Sequence, residues 1–173
     1  SKDIAIVSFD AHLDLRDEYM GQTICHATFM RRISEEARVK RIIEVGTRAV
    51  CREEIEYANS SGIRFFTSQQ IMKNGVEETS EKVRSLLDDC EALYLSIDMD
   101  VLDPAFAPGV QNPEPDGLSI HAFLDLLSGI YNRCIAGFDV TEVAPHHDMG
   151  ITAIQAAKTI FEVICYLEKA KKL

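Results

Sequence analysis

Apolar residues in this chain come in short unbroken runs, separated by longer stretches in which they recur every three or four positions. The runs are Ile4 to Phe9 (IAIVSF), Ile42 to Val45, Ile63 to Phe66, Ala92 to Ile97 (ALYLSI) and Ile135 to Val140. Continuous rather than alternating hydrophobicity marks strands covered on both faces, so each run is predicted to be a buried strand. Between them Ala27, Met30, Ile33 and Ala37 keep helical spacing, as do Val76, Val83, Leu86 and Leu87. Ser119 is a candidate N-cap for a helix whose apolar stripe is Phe123, Leu126, Leu127 and Ile130. The last helix is predicted to bury Ala153, Ala157, Ile160, Phe161, Ile164 and Leu167, with Lys169, Lys171 and Lys172 at its negative end. This alternation predicts an α/β fold, a single domain over residues 1–173 with three α/β/α layers and a mainly parallel sheet.

The rhythm breaks between Asp103 and Gly117 (DPAFAPGVQNPEPDG), a stretch that holds four of the five prolines. It follows the C-terminal end of a predicted strand, where ligands sit in doubly wound sheets, and is expected to wall a site.

Three motifs close three of the strands. The first is Asp10-Ala11-His12-Leu13-Asp14. On an extended chain alternate residues share a face, so Asp10, His12 and Asp14 are expected to converge as ligands for a divalent ion. The plainer reading is a solvated turn after a strand, with Asp as a cap. The second motif, Asp98-Met99-Asp100, again sets two carboxylates on one face of a buried strand end, where they repel unless a cation compensates them. Asp103, beside Pro104, is expected to start a turn rather than bind a ligand. Together Asp10, Asp14, Asp98, Asp100 and His12 carry too much negative charge for one divalent ion and suit two. Such a pair lowers the pKa of a shared water. The third motif, Gly137 to Pro145 (GFDVTEVAP), offers Glu142 as a carboxylate for a planar cation. His26 could shuttle protons or simply begin a helix, and His121, His146 and His147 are read as surface or loop residues.

Composition narrows the partners. Eighteen Lys and Arg against 28 Asp and Glu leave a net charge of −10, the opposite of a phosphate-backbone binder, so no nucleic-acid partner is expected. No apolar run approaches the roughly 20 residues of a membrane span. Lys2 and Asp3 lead straight into a strand-like run, which is read as no signal peptide. The five cysteines (Cys25, Cys51, Cys90, Cys134, Cys165) form no C-x-x-C pair and are expected to be reduced thiols, mostly core filler, in a cytoplasmic protein.

The stretches DAHLDLRDEY, YLSIDMDVLDPAFAPG, PEPDGLS and GFDVTEVAP together resemble the ureohydrolase family of arginases and agmatinases, agmatinases most of all. The likeness runs from about Ile4 to the end of the chain. It implies an arginase-like three-layer fold and hydrolysis of a guanidinium group, agmatine to urea and putrescine, with two Mn²⁺ ions. It also implies that Asp10 and Asp98 bridge the ions, that His12 and Asp100 bind one of them, and that Asp14 binds the other and hands a proton to the leaving amine. Glu142 matches the glutamate that holds the guanidinium, and His26 the proposed proton shuttle. Arginine and guanidinobutyrate stand behind agmatine. The family's earlier G-G-D-H strand, whose histidine completes the site of the ion that Asp14 binds, has no counterpart. That ion is therefore expected to be the more weakly held, and the chain to be the C-terminal part of a longer enzyme, with N-terminal strands missing. Gln111 and Asp116 stand where the family favours glycine, and a position needing positive φ would strain the loop. A non-catalytic member that keeps the fold and one metal is the alternative, and a single-zinc deacylase on a related fold fits the doubled Asp-x-Asp less well. A homo-oligomer associating through an uncovered sheet edge is the expected assembly.

Overall fold

A computed structural model describes residues 3–36, 38–130 and 135–170. The five apolar runs become β1 (Ile4–Phe9), β2 (Val39–Thr47), β3 (Arg64–Thr67), β4 (Ala92–Asp98) and β5 (Ile135–Thr141), one all-parallel sheet in the order β3-β2-β1-β4-β5. The chain first builds outward from β1 through β2 to β3, then returns to add β4 and β5 on the other flank. β1 and β4 therefore flank the point where the strand order reverses, with Phe9 beside Ile97 at their carboxyl ends. Loops leaving such a pair diverge to opposite sides and open a crevice.

Among the described residues five helices lie between strands, α1 (Phe29–Ser34), α2 (Arg52–Ser61), α3 (Ser68–Asn74), α4 (Val76–Leu86) and α5 (Ile120–Ile130), and a sixth, α6 (Ile151–Ala170), follows β5. One sheet face presents Ala5, Val7, Phe9, Ile43, Val45, Leu93, Leu95 and Ile97 to α3, α4, α5 and α6, forming the larger core. There Phe9 and Phe123 meet edge to face at 5.1 Å, the geometry that ring quadrupoles favour. The opposite face carries α1 and α2 over Ile6 and Ile42, with Leu13, Leu15, Met30, Ala58 and Ile63. The result is the three-layer α/β/α arrangement that the sequence predicts.

Ser119 Oγ accepts from the Ala122 amide at 3.1 Å and caps α5, as its position predicts. Two helices lack a readable signal. In α2 (REEIEYANSS) only Glu54 and Ala58 are buried, too few to print a helical period, and α3 is seven residues long. The first predicted helix is shorter than its apolar spacing, since α1 starts at Phe29 and Ala37 lies outside the described residues.

The last helix corrects an expectation. α6 turns Thr152, Ala156, Thr159 and Val163 inward, while Ile160, Phe161 and Ile164 of the predicted stripe are 37%, 60% and 47% exposed. Small side chains face the sheet because they let the helix axis approach it, so the more apolar face is the one left outside. Ala157 is exposed as well, Ala153 and Leu167 are half-buried, and Lys171 and Lys172 lie outside the described residues. The cysteines also depart from core filler. Cys90 is buried, Cys25 and Cys51 are half-buried and Cys165 is exposed, all four as free thiols, with Cys134 outside the described residues. Among the described residues no helix is long and apolar enough to cross a membrane.

Candidate metal centre

Two turns bring the acidic motifs together, though not by strand alternation. β1 ends at Phe9, and the chain bends away at once. Asp10 Oδ1 accepts from the His12 amide at 2.6 Å, which closes a tight turn and swings the imidazole back over the sheet end. His12 Nδ1 then lies 2.9 Å from Asp100 Oδ2 and 3.4 Å from Asp10 Oδ1. Asp14 takes the left-handed conformation at φ 52 instead of continuing an extended strand. Beyond β4, residues Met99–Val101 form a single 3-10 turn, capped by Asp98 Oδ1 accepting from the Asp100 amide at 2.8 Å. Asp100 Oδ1 reaches across to accept from the Ala11 amide at 3.0 Å, tying the two turns together.

Asp10, His12 and Asp100 each offer a ligand atom within 4.8 Å of the others, and both carboxylates are buried. Hard oxygens with one imidazole are a donor set for a divalent cation such as Mn²⁺. Asp14, Asp98, His26 and Glu142 do not join that tight group, yet all four line the adjoining crevice of about 370 Å³ together with His12 and Asp100. His26 is exposed, in the turn before α1, with its ring against Tyr19 at 5.5 Å. Glu142 follows β5 at φ 55, and its Oε2 accepts from the Gln111 amide at 3.0 Å. Non-glycine residues in this region cost roughly 1–3 kcal/mol each and persist where surrounding contacts hold them, often at functional sites. Asp14 and Glu142 are two of four such residues among those described, the others being Met20 and Asp116.

The electrostatics carry the same message. Burial pushes the Asp98 carboxyl up to about 10, and the Asp10 and Asp100 charges add to it. Asp14 rises to about 9 by burial and then by its repulsion from Asp10. Asp10 rises to about 7, burial outweighing its hydrogen bond to His12. Burial disfavours a charged His12, but the Asp10 and Asp100 carboxylates lift it to about 11. Asp100, despite its own burial, is held below the ordinary carboxylate range by His12. Without a metal the cluster is thus most stable holding protons, and a divalent cation would take the place of that positive charge.

The proline-rich loop folds over the crevice. Asp103 starts a turn, as expected, accepting from the Ala105 and Gly117 amides at 2.9 and 3.0 Å. Asp116 does occupy positive φ (65°), whereas Gln111 is not among the residues that do, so only one of the two non-glycine positions is strained. Asn112 and Glu114 from this loop join the lining. His147 Nδ1 lies 3.0 Å from the Val110 carbonyl and is exposed, as is His146; His121 is on the outer side of α5.

Two residues with large parts in this geometry have no motif to announce them. Arg48, at the end of β2, donates to the carbonyls of Asp100, Val101 and Leu102 on one side and of Glu114 and Pro115 on the other. Glu54 is buried in α2 and accepts from the Leu15 and Cys51 amides at 3.2 and 2.9 Å. The one available hint was position: an Arg two residues past a strand-end glycine, and a Glu in the first turn of a helix.

A second, more apolar cavity of about 650 Å³ opens on the α1 side of the sheet, where no helix covers β4 and β5 among the described residues. Tyr94, Ser96 and Asp139 form its floor, and Asp14, His26, Asp98 and Glu142 line both cavities.

The chain matches the sequence profile of the Arginase family over residues 1–165 and belongs to that family. The structure of an agmatine ureohydrolase of Thermoplasma volcanium superposes with a TM-score of 0.87 at 36% identity, covering 99% of this chain and 57% of that one. A guanidinopropionase of Pseudomonas aeruginosa is 35% identical over 96% of this chain and 54% of its own length. A mitochondrial arginase of Oryza sativa is also 35% identical, over 96% of this chain and 48% of its own. The chain spans about half the length of the relatives it matches.

Proposed function

We propose that this arginase-family protein is a two-manganese ureohydrolase that cleaves agmatine to urea and putrescine. The observation that carries the reading is the buried group of Asp10, His12 and Asp100 beside a crevice that His12 and Asp100 line together with Asp14, Asp98 and Glu142, at the switch point of the sheet. In this assignment Asp10, Asp98, His12 and Asp100 would hold one ion, and Asp10, Asp98 and Asp14 would hold the other. Bound ions supply a water made nucleophilic near neutral pH. Glu142 pairs with the guanidinium and holds its carbon in the crevice. The water oxygen would add to the guanidinium carbon, and the C–N bond to the diamine would then break as Asp14 passes one of that water's protons to the departing nitrogen. His26, exposed at the mouth, carries the surplus proton to solvent. The product putrescine places the reaction in polyamine synthesis, and a cytoplasmic setting completes the proposal.

One observation favours a second substrate. Arg16 lines the crevice and stacks on Tyr19 at 5.2 Å, and among the described residues no carboxylate lies within ion-pair distance of it. An uncompensated cation on that wall suits a guanidino acid, such as 4-guanidinobutyrate, whose far end is a carboxylate. Urea release by the full gene product, with excess Mn²⁺ and each substrate in turn, decides between them. The agmatine reading expects higher kcat/KM on agmatine and loss of turnover on either substrate with Glu142→Ala. Preference for the acid that reverses in Arg16→Ala supports the second. Absence of urea from both, with the ions bound, sinks the hydrolase reading and leaves the non-catalytic alternative.

A further inference from the structure

Asp14 sits between two buried leucines that point away from the crevice. Leu13 and Leu15 are 1% and 0% exposed and pack with Ile6, Met30, Ile42, Ala58 and Ile63. Between them the backbone at Asp14 is left-handed, at φ 52, with Asp14 lining the crevice while both leucines stay in the core. That turn is held from outside. The Asp14 carbonyl accepts from the Arg31 amide at 3.3 Å, and the next amide, that of Leu15, donates to Glu54 Oε1 at 3.2 Å.

Glu54 is an unexpected residue for that task. It is 4% exposed and joins the lining of a crevice already crowded with Asp14, Asp98 and Asp100. Its Oε2 caps α2 by accepting from the Cys51 amide at 2.9 Å, a job that a neutral side chain performs as well. A buried carboxylate among others is disfavoured unless its charge is used. Here its second oxygen is used on the Leu15 amide, 39 residues back along the chain, so one carboxyl group serves two main-chain donors. Both oxygens are engaged by main-chain amides, so Glu54 acts on the centre through the peptide that follows Asp14.

We propose that Glu54 is a positioning residue for one of the two metal ions: it holds Asp14 in the left-handed turn that aims its carboxylate into the crevice, and is not itself a ligand. The inference rests on the two-ion reading above. It predicts a selective lesion, because Asp10, His12 and Asp100 are fixed by the β1 and β4 turns and by one another, without Glu54.

The test is Mn²⁺ titration of the protein and of Glu54→Gln, Asp14→Asn and the double variant, with free Mn²⁺ counted by electron paramagnetic resonance and each metal-free form melted in EDTA. Gln keeps the size of Glu but offers one acceptor where two amides need acceptors. The tighter ion should keep its affinity, while the weaker one loses about 10- to 100-fold, the range for groups that orient a metal ligand. Asp14→Asn should lose the same ion, and the double variant should lose nothing more. Equal weakening of both ions would mean general loosening and overturn the proposal, as would unchanged affinity for both with a lower melting point. A parent protein that binds no Mn²⁺ would instead bring down the metal reading itself, and this inference with it.

Discussion

The turns that follow β1 and β4 carry nearly the same acidic spacing but are stabilised in different ways. After β4, Asp98 caps its own 3-10 turn, and the spacing Asp-x-Asp is enforced within three residues. After β1, only the Asp10–His12 half is closed locally; Asp14 depends on α1 through Arg31 and on α2 through Glu54. A ligand held by its own turn keeps its place when distant helices shift, whereas one held from outside reports every change in them. The first half of the centre is therefore preorganised, and the second is adjustable.

The strongest way to break this contrast is to disturb both turns at once. Gly46 sits at φ 101 between them, and a Cβ there would run into Val101 of the β4 turn while lying 3.5 Å from the Asp10 carbonyl. Gly46→Ala is expected to cost roughly 3 kcal/mol, combining overpacking with a disfavoured backbone. For a chain of this size that is a fall of roughly 6–12 °C in melting temperature, read by calorimetry.

Next in size is the metal response. In EDTA at pH 7, Asp98→Asn and Asp14→Asn should melt close to the parent, because each replaces a carboxyl that already holds its proton, with values pushed up to about 10 and about 9. With Mn²⁺ at 100 times its dissociation constant the parent should gain about 2.7 kcal/mol. Asp98→Asn should lose most of that gain, Asp14→Asn only the part due to the weaker ion. Equal losses would erase the distinction between the two turns.

The smallest effect is a slope. Asp10, Asp14 and Asp98 are raised on folding, so each contributes stability that is present below the unfolded value near 3.8 and is lost as pH climbs through the folded one. His12, raised to about 11, acts in the same direction above pH 6.5. Metal-free protein should therefore lose a few degrees of melting temperature between pH 5 and pH 9. Saturating Mn²⁺ should flatten or invert that trend, because ligands must shed protons to bind it. A metal-free melting point that rises over this range would show that the carboxyls are not held protonated.

These tests also mark how far the sequence could be read. All five strands were legible because strands buried on both faces write unbroken apolar runs, and the three motifs stood at their ends. α2 was not, since most of its surface is polar, and the inward face of α6 was mistaken because greasiness does not record which side a sheet lies on. The identities of Asp10, His12, Asp98 and Asp100 were visible, yet their convergence comes from a capped 3-10 turn and a bend rather than from strand alternation. Arg48 and Glu54 stayed hidden for a different reason. Their partners are main-chain atoms up to 67 and 39 residues away, and backbone groups have no letter in a sequence.

The bond from the Ala11 amide to Asp100 closes a loop of 89 residues, and this has a kinetic meaning. Contacts of such separation form late, after the entropy of bringing the ends together has been overcome. β2 and β3 can pair before β4 arrives, but Asp10, His12 and Asp100 meet only when β4 docks beside β1. Ion uptake would thus serve as a clock for the second half of folding: during refolding, secondary structure should recover first and Mn²⁺ should be captured only in the final phase.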